Sequence, residues 1–340
     1  MDTGASLLDG LPTLPEQPTV SVITCAYTEE RLGNLHKLLI KLLSQSYPPM
    51  EVIAVVDGNG PLAMELRASF PDVCVVENEG ARGHAGAANH GLGVARGEVV
   101  AFIDDDAVPA DNDWLASLVN AYDRPVVLGV GGLIEPNWLT ARPRWFPDEF
   151  LWVVGASHRG LPRQRSSVRN LWMGNMSVRR SVLDRIGGFR TSLSRVGTRP
   201  FGVQETELCI RAAQHWPTGV FVHEPRARVV HEVPAARTTF RYFRTHCYDE
   251  AFAKVSMARY VGSQDGLSSE REYLMRILPA GVARGVGDAL LRRDPAGLGR
   301  AAAILVGTAA AGCGYARARF LGPRTVHEED VDPRVLAARA

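Results

Sequence analysis

The sequence lacks several features that would assign it to a class at once. Its 340 residues carry a net charge of only +1, so whole-chain charge does not indicate a nucleic-acid partner. The first twenty residues have neither a basic segment nor an apolar core, so we expect no signal peptide. No uninterrupted apolar run reaches the roughly 20 residues of a membrane-spanning helix. The nearest, at 301–316, predicts a buried helix first and an interfacial helix second.

Cysteine is scarce, and common nucleotide-binding motifs are missing. The five cysteines are odd in number and no two have CxxC spacing, so we expect neither a zinc site nor a disulfide framework. A reducing, cytoplasmic location fits this pattern. The glycine-rich stretch 80–93 does not follow the first predicted strand with G-x-G-x-x-G spacing, which argues against a dehydrogenase. A Walker A lysine motif is also absent, which argues against a P-loop enzyme.

Charge is balanced over the whole chain but is unevenly distributed. Residues 235–324 hold 14 lysines and arginines against 7 acidic residues. Such a basic segment could contact an anionic membrane or bind an anionic ligand. Solvated faces of ordinary helices would give the same count, so both interpretations stay open.

Strand-like and helical segments alternate from residue 20 onwards. Stretches with helical periodicity, such as 32–43, separate the short β-rich runs at 20–26, 52–56, 73–76 and 99–103, and a last strand-like run lies at 227–230. This alternation predicts an α/β fold with a mostly parallel sheet and helices on both faces. Beyond Pro234 the sequence looks helical to about residue 319. We therefore expect a flexible tail at 1–18, a main domain at 19–237 and a helical C-terminal extension at 238–340.

Three consecutive aspartates end the apolar run 99–103. The run predicts a buried strand that delivers Asp104, Asp105 and Asp106 to its carboxyl end. Crowded carboxylates raise one another's pKa unless a cation is bound, and their oxygens suit Mg²⁺ or Mn²⁺. Because ligands of open α/β sheets bind beyond the carboxyl ends of the strands, the cluster indicates a metal-assisted site for an anion. A solvated acidic turn before Pro109 is the alternative.

Four blocks of sequence stand in the order found in inverting glycosyltransferases of family 2, which have the GT-A fold. The blocks are 21–30 (SVITCAYTEE), 56–59 (VDGN), 83–106 with its three final aspartates, and Gly187-Gly188-Phe189 followed by 204–211 (QETELCIR). They resemble the family's Tyr-Asn-Glu loop, its Asp-Asp-Gly-Ser turn, its DXD motif and its Gly-Gly-Phe and Glu-Asp stretch. The resemblance spans roughly residues 20–234. It implies a Rossmann-like nucleotide-diphospho-sugar transferase.

The resemblance implies a donor site at the ends of the predicted strands. Tyr27 would stack on the nucleobase, and Asp57 would accept a hydrogen bond from its ring. Asp104 would reach the ribose or the water around a metal ion, and Asp106 with His231 would bind Mn²⁺ or Mg²⁺. Asp105, counted with the donor site, would point away because successive strand residues alternate faces. The other donor-binding candidates are Thr24, Ala26, Glu29, Arg82 and Asn89.

The resemblance also implies that Glu205 is the catalytic base. Inversion needs a base that takes the proton of the acceptor hydroxyl as that oxygen attacks opposite the leaving group. Glu205 stands where the family has aspartate, and a carboxylate at a helix N-terminus is also a sound structural choice. Thr28 and Ala88 replace an asparagine and an arginine of the family, so we expect Arg82 or His84 to contact the diphosphate.

The acceptor is less narrowly implied than the reaction. The resemblance favours a UDP-sugar donor. The basic C-terminal part resembles that of bacterial, notably actinobacterial, and archaeal members acting on cell-surface or lipid-linked glycans, with peripheral contact at the inner face of the membrane. A small natural-product acceptor and an inactive nucleotide-sugar-binding protein are the alternatives. The irregular, tryptophan-rich stretch 136–172 is interpreted either as an acceptor platform or as the lid of a second small core.

Overall fold

A computed structural model describes residues 11–194, 202–262 and 271–321. The parts of the predicted tail and of the predicted C-terminal extension that fall on 1–10, 263–270 and 322–340 lie outside this range. The described residues form a single sheet of nine strands: β1 (Val20–Ala26), β2 (Glu51–Val56), β3 (Cys74–Glu77), β4 (Val99–Asp104), β5 (Ala107–Pro109), β6 (Val127–Trp138), β7 (Ser166–Val168), β8 (Asn175–Arg179) and β9 (Val220–Val233).

Helices flank the sheet and follow it in the chain. They are α1 (Leu32–Leu43), α2 (Gly60–Ser69), α3 (His84–Val94), α4 (Trp114–Val119), α5 (Arg180–Ile186), α6 (Gln204–His215), α7 (Phe240–Val261), α8 (Leu278–Leu291) and α9 (Ala296–Leu321). Short 3₁₀ turns lie at Glu29–Arg31, Asp148–Val154, Thr191–Leu193 and Ala235–Thr238, and a π-helical turn at Tyr273–Ile277 leads into α8.

The strand order is β3-β2-β1-β4-β8-β6-β9-β5, and β7 pairs with β9. The pairings β3–β2, β2–β1 and β1–β4 are parallel, as the alternation of strands and helices predicts. Beyond β4 the sheet is mixed, because β8 pairs antiparallel with both β4 and β6, whereas β6 and β9 are parallel. The predicted α/β fold is thus confirmed, and the parallel pairings lie mainly among strands β1 to β4.

Strict alternation in the central strands builds two cores. Val20 and Val22 of β1 face one core, and Ile23 faces the other. Helix α1 covers the first core with Leu35, Leu38, Leu39 and Leu42, which recur with helical period and are fully buried. Helix α3 covers the second core at close range. A Cβ at Gly91 would lie only 2.9 Å from methyl groups of Ile23 and Val55. The small residues of α3 therefore allow the helix to lie close to the sheet.

The C-terminal helices share the first core instead of standing apart from it. Phe243 of α7 lies 5.5 Å from Phe146 and 5.2 Å from Phe150, measured between ring centroids. Ile304 of α9 is buried in the same cluster. Part of the irregular stretch 136–172 therefore belongs to the first core, whereas one of the two sequence interpretations made it the lid of a second small core.

The apolar run 301–316 lies within α9 and is only partly buried. Ala303 and Ile304 are buried, whereas Leu305 and Phe320 are exposed. By length and composition alone, Ala296–Phe320 could cross a membrane, a test that core helices of soluble proteins also pass. The exposed side of α9 differs from the expectation of a buried helix.

Candidate active site

A large cavity of about 1680 Å³ opens at the carboxyl ends of the parallel strands. Tyr27 follows β1, Asp57 follows β2, and Asp104 ends β4, and all three line this cavity. Because these strands run parallel, their ends meet at one edge of the sheet, which is where α/β proteins bind ligands. The sequence blocks that are separate in the chain thus converge in space.

Asp104, Asp106 and His231 form a candidate metal centre. Their ligand atoms all lie within 4.8 Å of one another. The antiparallel register of β5 and β9 places His231 opposite Ala107, which brings its ring to Asp106. The distance from His231 Nε2 to Asp106 Oδ1 is 3.1 Å, and both side chains are buried.

The chemistry of this group fits the predicted Mn²⁺ or Mg²⁺. Two carboxylates and an imidazole are a donor set that Mn²⁺ accepts readily, and hard oxygens also suit Mg²⁺. Two glycines make room for it. A Cβ at Gly174 would lie 2.7 Å from Asp104 Oδ2, and one at Gly155 would lie 3.0 Å from the His231 ring. His231 Nδ1 is buried and has no hydrogen-bond partner among the described residues.

Asp105 does not point away from the site. Strand β4 ends at Asp104, so the alternation of faces no longer applies to the next two residues. Arg31 donates a 2.6 Å hydrogen bond to Asp105 Oδ1 and lies 3.2 Å from Asp106 Oδ2. The guanidinium of Arg31 also lies 5.6 Å from the centre of the Tyr27 ring. A single arginine therefore joins the predicted nucleobase platform to the aspartates.

The surroundings separate the two buried aspartates electrostatically. Burial raises the pKa of Asp105, which Arg31 opposes and the nearby charge of Asp106 reinforces. Burial would also raise the pKa of Asp106, but His231, Arg31 and Arg237 hold that pKa well below its usual range. Asp106 consequently stays ionised, as a metal ligand must.

Sequence reasoning missed Arg31 and Arg237. Arg237 lies on the 3₁₀ turn after β9, lines the cavity and approaches Asp106 Oδ2 to 3.8 Å. The chain offers one signal for Arg31, since it follows Tyr27 by four residues in the same loop. Arg237 follows His231 by six residues, just past the end of the last strand.

Asp57, a predicted donor-binding residue, is held in place by hydrogen bonds from the loop at 78–83. Its Oδ2 accepts a hydrogen bond of 2.8 Å from the Gly83 backbone, and its Oδ1 accepts one of 2.9 Å from Asn78 Nδ2. Arg82 is exposed and lines the cavity beside Gly83. His84 Nε2 lies 3.4 Å from Asp104 Oδ1, so this loop borders the candidate metal centre.

Not every predicted donor residue lines the cavity. Ala26 does, whereas Thr24 is buried within the sheet and Glu29 is exposed on a 3₁₀ turn outside the lining. Asn89 donates to the Phe189 carbonyl oxygen and accepts from the Phe189 amide, at 2.8 and 2.9 Å. Asn89 thereby fastens α3 to the Gly-Gly-Phe block, and the donor roles of these three residues stay predictions.

Glu205 lines the same cavity from helix α6. It is the second residue of α6, half-buried, and lines the cavity with Gln204 and Thr206. The rest of its block is structural. The fully buried Glu207 accepts hydrogen bonds from Arg190 and Arg211 at 2.7 and 2.8 Å. Arg211 also donates to the Gly188 carbonyl oxygen, which holds the Gly-Gly-Phe loop against α6.

Aromatic side chains form one wall of the cavity. The His158 ring lies 5.8 Å from Trp172 and 5.2 Å from Tyr273, and Trp152 Nε1 donates a 2.9 Å hydrogen bond to Tyr273 Oη. The rings come from the stretch 136–172, from α7 and from the π-helical turn. The full set is Trp152, His158, Trp172, Tyr242, His246 and Tyr273. Such a wall offers flat apolar faces with polar edges, a surface suited to a polyhydroxylated ring.

Apolar side chains of the π-helical turn, α8 and α9 also line the cavity, together with charged residues of α7 and of the residues before the turn. The apolar ones are Leu274, Met275, Ile277, Leu278, Ala311 and Tyr315, and the charged ones are Glu250, Lys254, Arg271 and Glu272. A lining that combines apolar surface with charged groups suits an amphiphilic ligand.

Comparison with known proteins agrees with this geometry. The model of glycosyl transferase family 2 matches residues 21–187. The chain is 33% identical over 305 residues to a glucosyl-dolichyl phosphate glucuronosyltransferase of Haloferax volcanii, covering 87% of this chain and 95% of that protein. It is also 28% identical over 185 residues to the glycosyltransferase AglE of the same organism, covering 52% and 57% of the two chains. Both relatives are archaeal, so they do not support the bacterial side of the resemblance.

Solved structures show the same fold. The mannosyltransferase PcManGT from Pyrobaculum calidifontis, in complex with GDP-Man and Mn²⁺, superimposes with a TM-score of 0.58 at 18% identity. That match covers 88% of this chain and 89% of the other. GalNAc-T7 with UDP, GalNAc and Mn²⁺ gives a TM-score of 0.50 at 18% identity, over 76% of this chain and 55% of that one.

Proposed function

The chain belongs to glycosyltransferase family 2, and from this premise we propose that it is an inverting, metal-dependent enzyme acting on a lipid-linked acceptor. Its donor would be a nucleotide-diphospho-sugar, with UDP the favoured nucleotide. The observation that carries the proposal is the convergence of Asp104, Asp106 and His231 within 4.8 Å, in the cavity that Glu205 also lines. Cation site and candidate base thus face one space.

On the donor side, three residues account for binding of the nucleotide. Tyr27 is 58% exposed at the cavity edge, which leaves its ring free to stack on a base. Asp57 is already oriented by the Gly83 amide and can accept a further hydrogen bond. Arg82, exposed beside this loop, can pair with a phosphate.

The leaving diphosphate gains negative charge as the sugar departs. A divalent cation held by Asp104, Asp106 and His231 would neutralise that charge as a Lewis acid when bound. Arg31 and Arg237 keep Asp106 ionised and positioned for this task. Structural neighbours with Mn²⁺ support the choice of a divalent ion, and the residues suit Mn²⁺ or Mg²⁺.

On the acceptor side, Glu205 would take the hydroxyl proton. It lies in the first turn of α6 and lines the cavity, so its carboxylate can reach a hydroxyl bound there. An incoming hydroxyl then attacks the sugar on the face opposite the nucleotide, which inverts its configuration.

We infer a lipid-linked acceptor from two groups of residues that line the cavity. The aromatic wall would bind a sugar, and the apolar side chains of the π-helical turn, α8 and α9 would bind the start of a hydrocarbon chain. The Haloferax volcanii relative is named for a dolichyl phosphate acceptor of this amphiphilic kind. All five cysteines are free, which supports a reducing compartment and hence an active site on the cytoplasmic side.

Donor binding tests the proposal without needing the acceptor. Thermal unfolding should be followed with UDP- and GDP-sugars, each with and without Mn²⁺, for the wild type, Asp106→Asn and the exposed control Asp72→Asn. A ligand at 100 times its Kd adds about 2.7 kcal/mol to the free energy of unfolding. We expect the wild type and the control to be stabilised by one nucleotide class only with Mn²⁺, and Asp106→Asn not to be. Equal stabilisation of all three would place the metal elsewhere.

A further inference from the structure

Helices α8 and α9 form an antiparallel hairpin with a close glycine contact. A Cβ at Gly285 would lie 2.6 Å from the Gly297 carbonyl oxygen and 3.1 Å from Ala301. One at Gly281 would lie 2.8 Å from Ile304. An earlier residue of α8 thus contacts a later residue of α9, which shows that the two helices are antiparallel. These small residues bring the two helices together on one side and leave another side of each helix outward.

The outward side of the hairpin is apolar over most of its length, and Arg317, four residues after Cys313 and three before Phe320, is the charged residue in its α9 stripe. The spacing of three and four residues puts the side chains of each helix in one stripe. Leu290 is 72% exposed on α8, and Leu298, Leu305 and Phe320 are 55%, 60% and 84% exposed on α9. We define the apolar face by its exposed residues, Pro279, Val286 and Leu290 of α8 with Leu298, Ala302, Leu305, Ala309, Cys313 and Phe320 of α9. Val282, between Pro279 and Val286, is half-buried and packs against the first core.

Both stripes lie on the same side of the hairpin. In each helix the stripe follows the contact residues by one position, for example Val286 after Gly285 and Leu298 after Gly297. One residue turns an α-helix by about 100°. Each stripe is therefore rotated by the same angle from the face that contacts the other helix. Because the two helices are antiparallel, these equal rotations leave both stripes on the same side of the hairpin. The α9 stripe from Leu298 to Phe320 alone is about 33 Å long, at 1.5 Å per residue.

Positive charge lies at both ends of the apolar face. Residues 273–320 contain seven arginines and two aspartates, and both aspartates pair with Arg300 at 2.8 to 3.0 Å. The remaining charge is concentrated at the two ends of the face. Arg292 and Arg293 lie at the hairpin tip, and Arg317 and Arg319 lie near the end of α9. All four are exposed.

The apolar face is continuous with the rim of the active-site cavity. Gly312 and Tyr315 of α9 are exposed next to the stripe and also line the cavity. Leu274 and Met275, which are 47% and 72% exposed, line the cavity just before α8 begins. These residues of the cavity lining therefore lie at the edge of the apolar face.

We propose that the hairpin lies in the plane of an anionic bilayer, with the apolar face among the acyl chains and the arginines among the headgroups. Apolar surface flanked by arginines is the composition of helices that bind at the membrane interface. A second copy of the chain fits less well, because a two-fold contact would bring basic ends against each other whichever way it is arranged. A spanning orientation of α9 would remove Ile304 and Gly307 from their contacts in the core.

This orientation gives the cavity a membrane entrance. A lipid-linked acceptor could move from the leaflet past Met275 and Tyr315 without its chain crossing water. That consequence rests on the proposed function, whereas bilayer binding itself does not.

Vesicle binding tests the proposal with no donor or acceptor present. The full chain should be sedimented with vesicles of phosphatidylcholine and phosphatidylglycerol, and with phosphatidylcholine alone, at low and high salt. The face variant is Leu298→Asp with Leu305→Asp. The control is Ile40→Asp with Met64→Asp, two side chains of 61% and 64% exposure on α1 and α2. Circular dichroism checks that both variants fold.

We expect the wild type and the control to bind the anionic vesicles, more weakly at high salt. The face variant should bind about 100-fold more weakly, roughly tenfold for each leucine withdrawn from the acyl chains. No binding by the wild type at low salt, or equal binding by both variants, would overturn the proposal. So would a wild-type dimer, seen by light scattering, that the face variant dissociates while vesicle binding is absent. Because nucleotide binding is measured separately, either proposal can fail without the other.

Discussion

Single residues decide whether the carboxylates at the end of β4 can act together. Asp104, Asp106 and His231 are the candidate metal ligands, and the absence of two neighbouring side chains leaves room for them. Gly174 leaves space for the carboxylate of Asp104, and Gly155 leaves space for the ring of His231. Gly155 also has a φ of +79°, which a side chain would disfavour. The three ligands therefore depend on neighbours that have no functional group.

Gly174→Ala should weaken metal binding without unfolding the protein. The new Cβ would lie 2.7 Å from Asp104 Oδ2, and because that atom ends a short side chain, the carboxylate would move away. Changes next to metal ligands typically cost 10–100-fold in affinity, and we expect a loss of about that size for Mn²⁺. Isothermal titration calorimetry measures it.

Gly33→Ala serves as the matched control for this prediction. Gly33 is an exposed helical residue of α1, and a Cβ there would meet nothing within 4 Å. Its Mn²⁺ affinity should equal that of the wild type. If Gly174→Ala bound Mn²⁺ as tightly as this control, Asp104 would not be a ligand.

At the scale of helices and strands, regular patterns could be predicted and interrupted ones could not. Strand β1 and helix α1 have the predicted bounds, because alternation and helical periodicity mark them without ambiguity. Strand β9 was expected only at 227–230 but runs from Val220 to Val233. Pro225 and the ion pair of Glu224 with Arg226 hide its continuity, and a shift of register against β6 accommodates them.

The contact of α9 with α7 should be highly sensitive to one methyl group. A Cβ at Gly314 would lie 2.1 Å from the Tyr248 carbonyl oxygen, a backbone atom that cannot turn aside. We expect Gly314→Ala to lower the free energy of unfolding by about 1–3 kcal/mol, the usual cost of overpacking. Denaturant unfolding provides the measurement.

Gly312→Ala separates this packing effect from helix propensity. Gly312 is exposed in the same helix, and a Cβ there would meet nothing within 4 Å. Alanine should raise the free energy of unfolding by roughly 0.5–1 kcal/mol, because it favours the helix. A stabilising Gly314→Ala would show that α9 does not pack on α7 as described.

At the scale of the whole molecule, the site is assembled from parts far apart in the sequence. The family blocks could be predicted because each is local. Arg31 and Arg237 could not, because only the folded sheet brings the two ends of the domain to Asp106. The mixed half of the sheet was likewise hidden, since the direction of β8 depends on the long stretch before it. The local sequence blocks thus predicted a glycosyltransferase. The charges around Asp106 depend on long-range packing and could not be predicted from those blocks.

The rate of sugar transfer by Glu205→Gln is the most direct test of whether Glu205 is the catalytic base. It should be measured with Mn²⁺, a stabilising nucleotide sugar and a short glycosyl polyprenyl phosphate, beside the half-buried control Glu232→Gln, which lies outside the cavity lining. We expect Glu205→Gln to be stabilised by the donor as the wild type is, because Glu205 acts on the acceptor. Its turnover should fall by about 10²–10⁴-fold, the usual contribution of a general base. The control should keep both. Near-normal turnover by Glu205→Gln would contradict the account.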